Sequence, residues 1–241
     1  MGCISDVSVI DRTVQKRRVA MQSAVDAYHK FYEKHKLWQN TKWLGIPMWK
    51  LPSDSLIIQD IIYEVKPDYI VETGTGMGGS SLFYASICDM IDHGKVVTVD
   101  IEFRHDLNLS VAKQSIKDRI TYIGGSSINE IVVNRVKNIC EGKRNIVLLD
   151  SWHTKEHVLQ ELKLYSPLVS VGSYIIVEDT HVNGHPVPWK WNDEGPWGAV
   201  EEFMKDNDEF KIDYDREVYL MTFCPSGWLR RVKYYEGESS K

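Results

Sequence analysis

At 241 residues, 43% hydrophobic and with a formal charge of -5, the chain is long enough for one substantial core but has no basic stripe for nucleic acid or an anionic membrane surface. It has no run of roughly 18 apolar residues and no apolar signal-peptide core, and Cys3, Cys88, Cys140 and Cys224 form no Cys-x-x-Cys pair for a zinc knuckle or disulfide framework. These properties predict a cytoplasmic protein with reduced thiols, no nucleic-acid or membrane partner, and a small molecule as its ligand.

Met1-Gly2-Cys3 is like an acylation start, but Asp6 stands where myristoylation wants Ser or Thr. From about Asp11 to His35, Val14, Val19, Met21, Ala24, Val25, Tyr28, Phe31 and Tyr32 have the spacing of an amphipathic helix. Between Leu37 and Pro52 the pattern breaks into Trp38, Trp43, Gly45, Pro47 and Trp49. These tryptophans either cover a ligand or staple the N-terminal arm to the domain. Residues 1–52 are therefore set apart as an arm and aromatic loop, ahead of a main domain over 53–235. Ser53 or Asp54 caps a helix that turns Leu56, Ile57, Ile58, Ile61 and Ile62 inward and ends at Lys66-Pro67.

Tyr69 to Ser81 organises the rest of the chain. Tyr69-Ile70-Val71 runs into Glu72 and then into Gly74, Gly76, Gly78 and Gly79, and Leu82, Phe83, Ala85, Ile87 and Met90 follow with helical spacing. Strand, glycine turn and helix make a unit that holds a nucleotide-like group at the helix N-terminus, where the backbone takes φ > 0 and no Cβ is in the way. Gly74, Gly76 and Gly79 also satisfy the dinucleotide pattern Gly-x-Gly-x-x-Gly. Glu72 speaks against a dinucleotide, because its carboxylate would face the phosphates. S-adenosylmethionine has no phosphate, and its cationic sulfonium and ammonium suit an acid at a strand end.

Lys95 to Asp100 is a second strand closing on an acid placed for ribose hydroxyls. A third strand, Ile120 to Ile123, leads to Gly124-Gly125-Ser126, where adenine is expected. A helix near 128–136 precedes the apolar run Asn145 to Asp150, of the kind buried in a parallel sheet. Another helix, about Lys155 to Tyr165, precedes Ser173 to Asp179. Thr180 to Trp197, with two histidines, three prolines and three tryptophans, is a long loop over the active face. Helix is expected over 198–205, two strands between Phe210 and Tyr235 as a hairpin through Pro225-Ser226-Gly227, and disorder in the tail over 236–241. The alternation predicts an α/β, Rossmann-like, doubly wound and mostly parallel sheet ending in an antiparallel hairpin, the arrangement of methyltransferases.

Two strands end in acids, Leu149-Asp150 and Val177-Glu178-Asp179, so three carboxylates converge and need a cation; Mg2+ suits them, and Mn2+ or Ca2+ also fit. Side chains alternate along a strand, so Glu178 and Asp179 share an ion only where the chain has begun to turn. Otherwise one binds the ion and the other caps a turn or pairs with a lysine. His153, in the turn after Asp150, is placed to accept a proton from a substrate hydroxyl, with a structural role as the rival reading. His157 is assigned to the surface, and His181 and His185 to the substrate loop.

The run Lys66 to Thr75, the preceding Leu44-Gly45-Ile46-Pro47 with Pro52-Ser53-Asp54, and the later Val177-Glu178-Asp179-Thr180 resemble the cephalosporin hydroxylase family, whose members have a methyltransferase fold. The Asp-x-x-His and Glu-Asp set is similar also to metal-dependent sugar O-methyltransferases of macrolide biosynthesis. The resemblance covers roughly Lys42 to Val182. It implies an S-adenosylmethionine- and Mg2+-dependent O-methyltransferase acting on a hydroxyl of a sugar or natural product, and a homo-oligomer is expected. Asp150, Glu178 and Asp179 are then the Mg2+ ligands, with His153 as base beside Asp150. Glu72, Gly74, Gly78, Asp100 and Ser126 hold the cofactor, with Thr73, Gly76, Ser80, Ser81, Ile101 and Asp150 assigned to the same pocket. The alternatives are an NAD-dependent oxidoreductase or metal hydroxylase, and a silent cofactor-binding protein. No Tyr-x-x-x-Lys pair is placed for hydride chemistry, and the acid-rich site has one histidine where a non-haem iron triad wants two.

Overall fold

A computed structural model describes residues 7–102, 112–188 and 193–233, with the backbone alone for 7–20. The N-terminal helix α1 (Val7–Lys34) leads through a 3-10 turn (Leu37–Asn40) to a small ribbon of β1 (Lys42–Trp43) and β2 (Ile46–Pro47). There follow α2 (Pro52–Val65), β3 (Tyr69–Thr73), α3 (Gly79–Met90), β4 (Lys95–Asp100), α4 (Gln114–Lys117), β5 (Ile120–Gly124), α5 (Glu130–Cys140), β6 (Asn145–Leu149) and α6 (Lys155–Tyr165). The chain continues through β7 (Tyr174–Val177), α7 (Gly195–Lys205), β8 (Phe210–Ile212) and β9 (Trp228–Arg231).

The main sheet has the order β5-β4-β3-β6-β7-β9-β8, and its first five strands are parallel. Each central strand is apolar on both faces, as a sheet covered on both sides requires. Ile70, Ile146, Leu148 and Ile176 pack with α2 and α3. Val71, Val147, Leu149, Ile175 and Val177 pack on the other face with α5, α6 and α7. This parity decides the site, because Glu72, Asp150 and Glu178 continue the α2–α3 face.

The C-terminal strands pair antiparallel, as expected, but not as a hairpin through Pro225-Ser226-Gly227. β9 lies between β7 and β8, and the connection from β8 carries its own 3-10 turn (Tyr214–Glu217). Pro225-Ser226-Gly227 is instead the entry into β9: a Cβ on Gly227 would stand 2.3 Å from the Val177 carbonyl oxygen, and Val177 donates its N–H to the Gly227 carbonyl at 2.9 Å. Neither Ser53 nor Asp54 caps α2, which starts at Pro52 after Leu51 without a side-chain cap. Asp54 is buried and accepts from the Phe223 N–H at 2.7 Å, tying α2 to the loop before β9. Tyr32 of α1 packs with Leu51 and Phe223, which brings the end of α1 over the carboxyl edge of the sheet. No described helix is long and apolar enough to cross a membrane, and among the described residues Cys88, Cys140 and Cys224 are free thiols. The expected tail over 236–241, Met1-Gly2-Cys3, and Trp189 and Trp191 of the long loop lie outside the described residues.

Candidate functional site

The four glycines of the turn after β3 do four separate jobs. Gly74 takes φ +86°, and a Cβ there would stand 1.8 Å from the Asp150 carbonyl oxygen, so its smallness serves the adjacent strand end. Gly76, at φ +53°, has nothing within 4 Å of a Cβ position and faces a cavity of about 400 Å³, with its N–H donated to Asp100 Oδ2 at 2.9 Å. Gly78 caps α3 at φ +81°, and Gly79 meets the Pro47 carbonyl, 2.3 Å from a Cβ position, which presses the aromatic loop against the turn.

Glu72 does not line this cavity. Its parity puts it under α3, fully buried, where its Oε2 accepts from Ser81 Oγ at 2.5 Å and Thr98 Oγ1 at 2.7 Å. Burial pushes its carboxyl up, against the pull of Lys50 and the surrounding hydroxyls. It braces the turn from below, and Thr73 and Ser81 are buried with it. Ser80 lies on the cavity wall.

A second cavity of about 360 Å³ shares Gly74, Asp100 and Ser151 with the first. Ile101, Ser126 and Trp152 line it. Asp100 closes β4 with Oδ2 on the turn and Oδ1 on the Glu102 N–H at 2.9 Å. His157 is not a surface residue: its Nε2 lies 3.1 Å from Ser127 Oγ and 3.0 Å from Ser151 Oγ, on the wall of this cavity.

In the wall of the first cavity, Asp150, His153 and Asp179 each offer a donor atom within 4.8 Å of the others. His153 Nε2 is 3.2 Å from Asp179 Oδ2. β7 ends at Val177, the Glu178 N–H still bonds the Leu149 carbonyl of the neighbouring strand at 3.0 Å, and the chain turns at Asp179, which takes φ +58°. The two acids therefore part company. Asp179 faces the cavity, whereas Glu178 is 3% exposed and accepts from Lys50 Nζ at 2.9 Å and Cys224 Sγ at 3.3 Å. Lys50 Nζ also donates to Asp150 Oδ2 at 2.8 Å. Burial alone would lower the Lys50 ammonium, but Asp150 and Glu178 outweigh it and hold it well above its ordinary value. Burial raises Asp150; Lys50 pulls it back, Glu178 and Asp179 add to the rise, and the carboxyl stays above the usual carboxylate range.

On the far side of the same cavity stand Glu33, Trp38, Trp49, His181 and Phe223. Trp38 and Trp49 meet edge to face at 5.8 Å, while Trp43 packs on Phe83 and donates to Ser86 Oγ, so the aromatic loop both lines the cavity and staples the arm. The rings of His29, His181 and Phe223 lie nearly parallel in a mutual cluster, with His181 4.8 Å from His29 and 4.2 Å from Phe223 and those two 5.5 Å apart. His185 stacks on Trp197 in a different depression.

Residues 35–232 match the model of the Rhamnosyl O-methyltransferase/CmcI family. The chain belongs to this family. A Rhamnosyl O-methyltransferase of Mycobacterium leprae is 35% identical over 218 residues, covering 87% of this chain and 91% of that protein. One from Mycobacterium tuberculosis is equally identical, covering 87% and 85%. Among solved structures, CmcI with Mg and SAM aligns with a TM-score of 0.61 at 20% identity, over 81% of this chain and 78% of that one. An O-methyltransferase from Bacillus cereus in complex with SAH aligns at 0.52 and 19% identity, over 67% and 72%. The fold is thus that of methyltransferases, and family membership makes the chain an O-methyltransferase rather than an oxidoreductase.

Lys50 is the residue of this site that sequence reasoning passed over. Its one signal is a lysine between Trp49 and Leu51 in an otherwise apolar loop, since a lysine drawn inside needs acidic partners. Glu33 and Phe223 carry no local signal, because they reach the site only through the packing of α1 and the loop before β9.

Proposed function

We propose that this O-methyltransferase uses S-adenosylmethionine and Mg2+ to methylate a sugar hydroxyl. The observation that carries the reading is the larger cavity, which has the glycine turn and Asp100 on one side, Glu33, Trp38 and Trp49 on the other, and Asp150, His153 and Asp179 in the same wall, and which adjoins a second cavity lined by Ile101, Ser126 and Trp152. The residues fit the cofactor, since Asp100 suits ribose hydroxyls, Ile101 and Trp152 offer apolar walls to a base, and the open side of Gly76 admits close approach. They fit the ion too, because Mg2+ is commonly held by one or two carboxylates and keeps waters, and Asp150 and Asp179 supply those. Imidazole is a poor Mg2+ ligand, which leaves His153 for the proton.

When bound, the cofactor supplies a methyl group on a cationic sulfur and the ion supplies positive charge that lowers the hydroxyl pKa. His153 accepts the hydroxyl proton, and the carboxylate of Asp179, 3.2 Å from its Nε2, lies beside the positive charge that the ring gains. Trp38 and Trp49 offer apolar faces to the C–H side of a pyranose, and Glu33 offers a carboxylate to its hydroxyls. The relatives at 35% identity are named for rhamnosyl acceptors, which supports the sugar class. The test is transfer of labelled methyl from S-adenosylmethionine to a panel of rhamnosides and other glycosides, with Mg2+ or with EDTA. Label should enter a sugar ether and vanish in EDTA. Transfer to non-sugar alcohols alone, or equal transfer in EDTA, would overturn the corresponding half of the reading.

A further inference from the structure

α6 carries a polar stripe where a core-facing helix is ordinarily apolar. His157, Glu161 and Tyr165 recur at i, i+4 and i+8, and all three meet the turns that follow β5 and β6. Tyr165 donates its hydroxyl to the Ser127 carbonyl at 2.7 Å, and Ser151 Oγ donates to Glu161 Oε1 at 2.7 Å. His157 Nε2 lies 3.1 Å from Ser127 Oγ and 3.0 Å from Ser151 Oγ. Glu161 is fully buried and its Oε2 has no hydrogen-bond partner; among the described residues its one ion-pair contact is His157, 3.6 Å from Oε1. A buried carboxylate held so sparingly costs stability, and packing does not account for it.

The protons of this cluster run in one direction. A carboxylate accepts and never donates, so the Ser151 hydroxyl proton is committed to Glu161. The contact between Ser151 Oγ and His157 Nε2 then needs the proton on the ring, which makes Nε2 a donor. A protonated Nε2 cannot accept from Ser127, so Ser127 keeps its own hydroxyl proton. Ser127 and Ser151 both line the second cavity, beside Ile101 and Trp152. To a ligand there, Ser151 has only a lone pair to offer, and Ser127 has a proton.

We propose that Glu161 fixes this direction and so makes the second cavity select a 6-aminopurine over a 6-oxopurine. The inference rests on the S-adenosylmethionine reading above and deepens it. Adenine has N–H donors on its 6-amino group and lone pairs on its ring nitrogens, which complement one acceptor and one donor. Hypoxanthine has a carbonyl at position 6 and a proton on N1, so the complement is lost. Glu161 acts through Ser151 and His157 and is a positioning residue.

Calorimetry on the full chain with S-adenosylhomocysteine and with S-inosylhomocysteine, its 6-oxo counterpart, tests this. The parent should bind the amino form roughly tenfold to a hundredfold more tightly, the range in which a matched donor–acceptor pair discriminates between bases. Glu161→Gln should bring that ratio within about threefold, because an amide offers Ser151 either an oxygen or an NH2 and no longer fixes the direction. Ser151→Ala deletes the acceptor at the cavity wall and should lower the ratio as well, which decides the matter if Glu161→Gln does not fold. A merely structural Glu161 would weaken both ligands in proportion and leave the ratio as it is in the parent. That result overturns the proposal, as does an unchanged ratio in Ser151→Ala or a parent that binds both ligands alike. A parent that binds neither overturns the S-adenosylmethionine reading itself, a separate result.

Discussion

The half of the cleft proposed for the nucleoside is made of strand ends and the turns that follow them: the glycine turn after β3, Asp100 at the end of β4, Ser126 after β5 and Ser151 after β6. The half proposed for the acceptor gathers Glu33 from α1, Trp38 and Trp49 from the aromatic loop, and His181 and Phe223 from loops before α7 and β9. A strand end needs only its own sheet to reach the carboxyl edge, so the first half is fixed once the sheet forms. The second half depends on how α1 and the C-terminal loops pack over that edge, through contacts such as Tyr32 with Leu51 and Phe223. Chemistry common to a cofactor sits on the rigid half, and the half that meets the acceptor sits on segments free to differ.

The largest expected effect breaks the rigid half at its root. Gly74→Ala adds both a left-handed strain and a Cβ 1.8 Å from the Asp150 carbonyl, so it should cost roughly 4 kcal/mol or more, or yield no folded protein. Gly76→Ala adds strain without a clash, about 1–2 kcal/mol, and should fold while losing S-adenosylhomocysteine affinity. Denaturant unfolding beside calorimetric binding separates them; equal destabilisation by the two would contradict the geometry.

Between the halves stand two histidines with different loyalties. His153→Ala should lower turnover by about two to four orders of magnitude while cofactor affinity stays near the parent's. His157→Ala should instead weaken S-adenosylhomocysteine binding by roughly tenfold, because its ring holds Ser127 and Ser151 on the adenine side. If His157→Ala binds the cofactor like the parent, that histidine is packing alone.

The comparison also explains what could be read in the sequence. Asp100, Asp150 and Asp179 were legible as strand-end acids, and the alternating order of the sheet followed from apolar runs bounded by turns. Direction was harder. Glu72 was expected to face the cofactor, yet Ile70-Val71-Glu72 alternates faces and delivers it beneath α3 to Ser81 and Thr98. Glu178 follows the same parity, and the lysine that meets it lies 128 positions earlier, beyond any local pattern. His157 sits in the first turn of α6, where spacing does not reveal that the helix begins against the Ser127 turn. The C-terminal strands were visible as strands, but their connection was not, because insertion of β9 between β7 and β8 is a property of the whole sheet.

A smaller effect is expected on the acceptor side. Trp38→Ala should raise the acceptor KM by roughly tenfold, about 1.4 kcal/mol, with kcat and cofactor affinity nearly unchanged, since the ring meets ground state and transition state alike. A fall in kcat at constant KM would place Trp38 in the reaction rather than in acceptor binding.

The smallest effect tests how the acceptor half is tied down. His29 of α1 is 2% exposed and stacked on His181 and Phe223; burial first, and then His181, lowers its pKa to about 3, with Asp179 pulling it slightly back. The folded state thus prefers neutral His29, while the unfolded chain takes up the proton near the ordinary value of 6.5. The stability this confers is complete above pH 6.5 and is lost as pH falls toward 3, because only the unfolded state gains the proton. At pH 6 the loss should already be roughly 0.8 kcal/mol, growing toward about 1.4 kcal/mol per further pH unit. Asp54 and Glu72, which burial pushes upward, titrate in the opposite sense but are present in parent and variant alike. His29→Phe keeps a ring in the stack and removes the titrating group, so its melting temperature should fall less steeply than the parent's between pH 7 and 5. Parallel curves would mean that His29 is wet enough to protonate in the folded state, and that α1 closes the acceptor half less tightly than its stacking geometry requires.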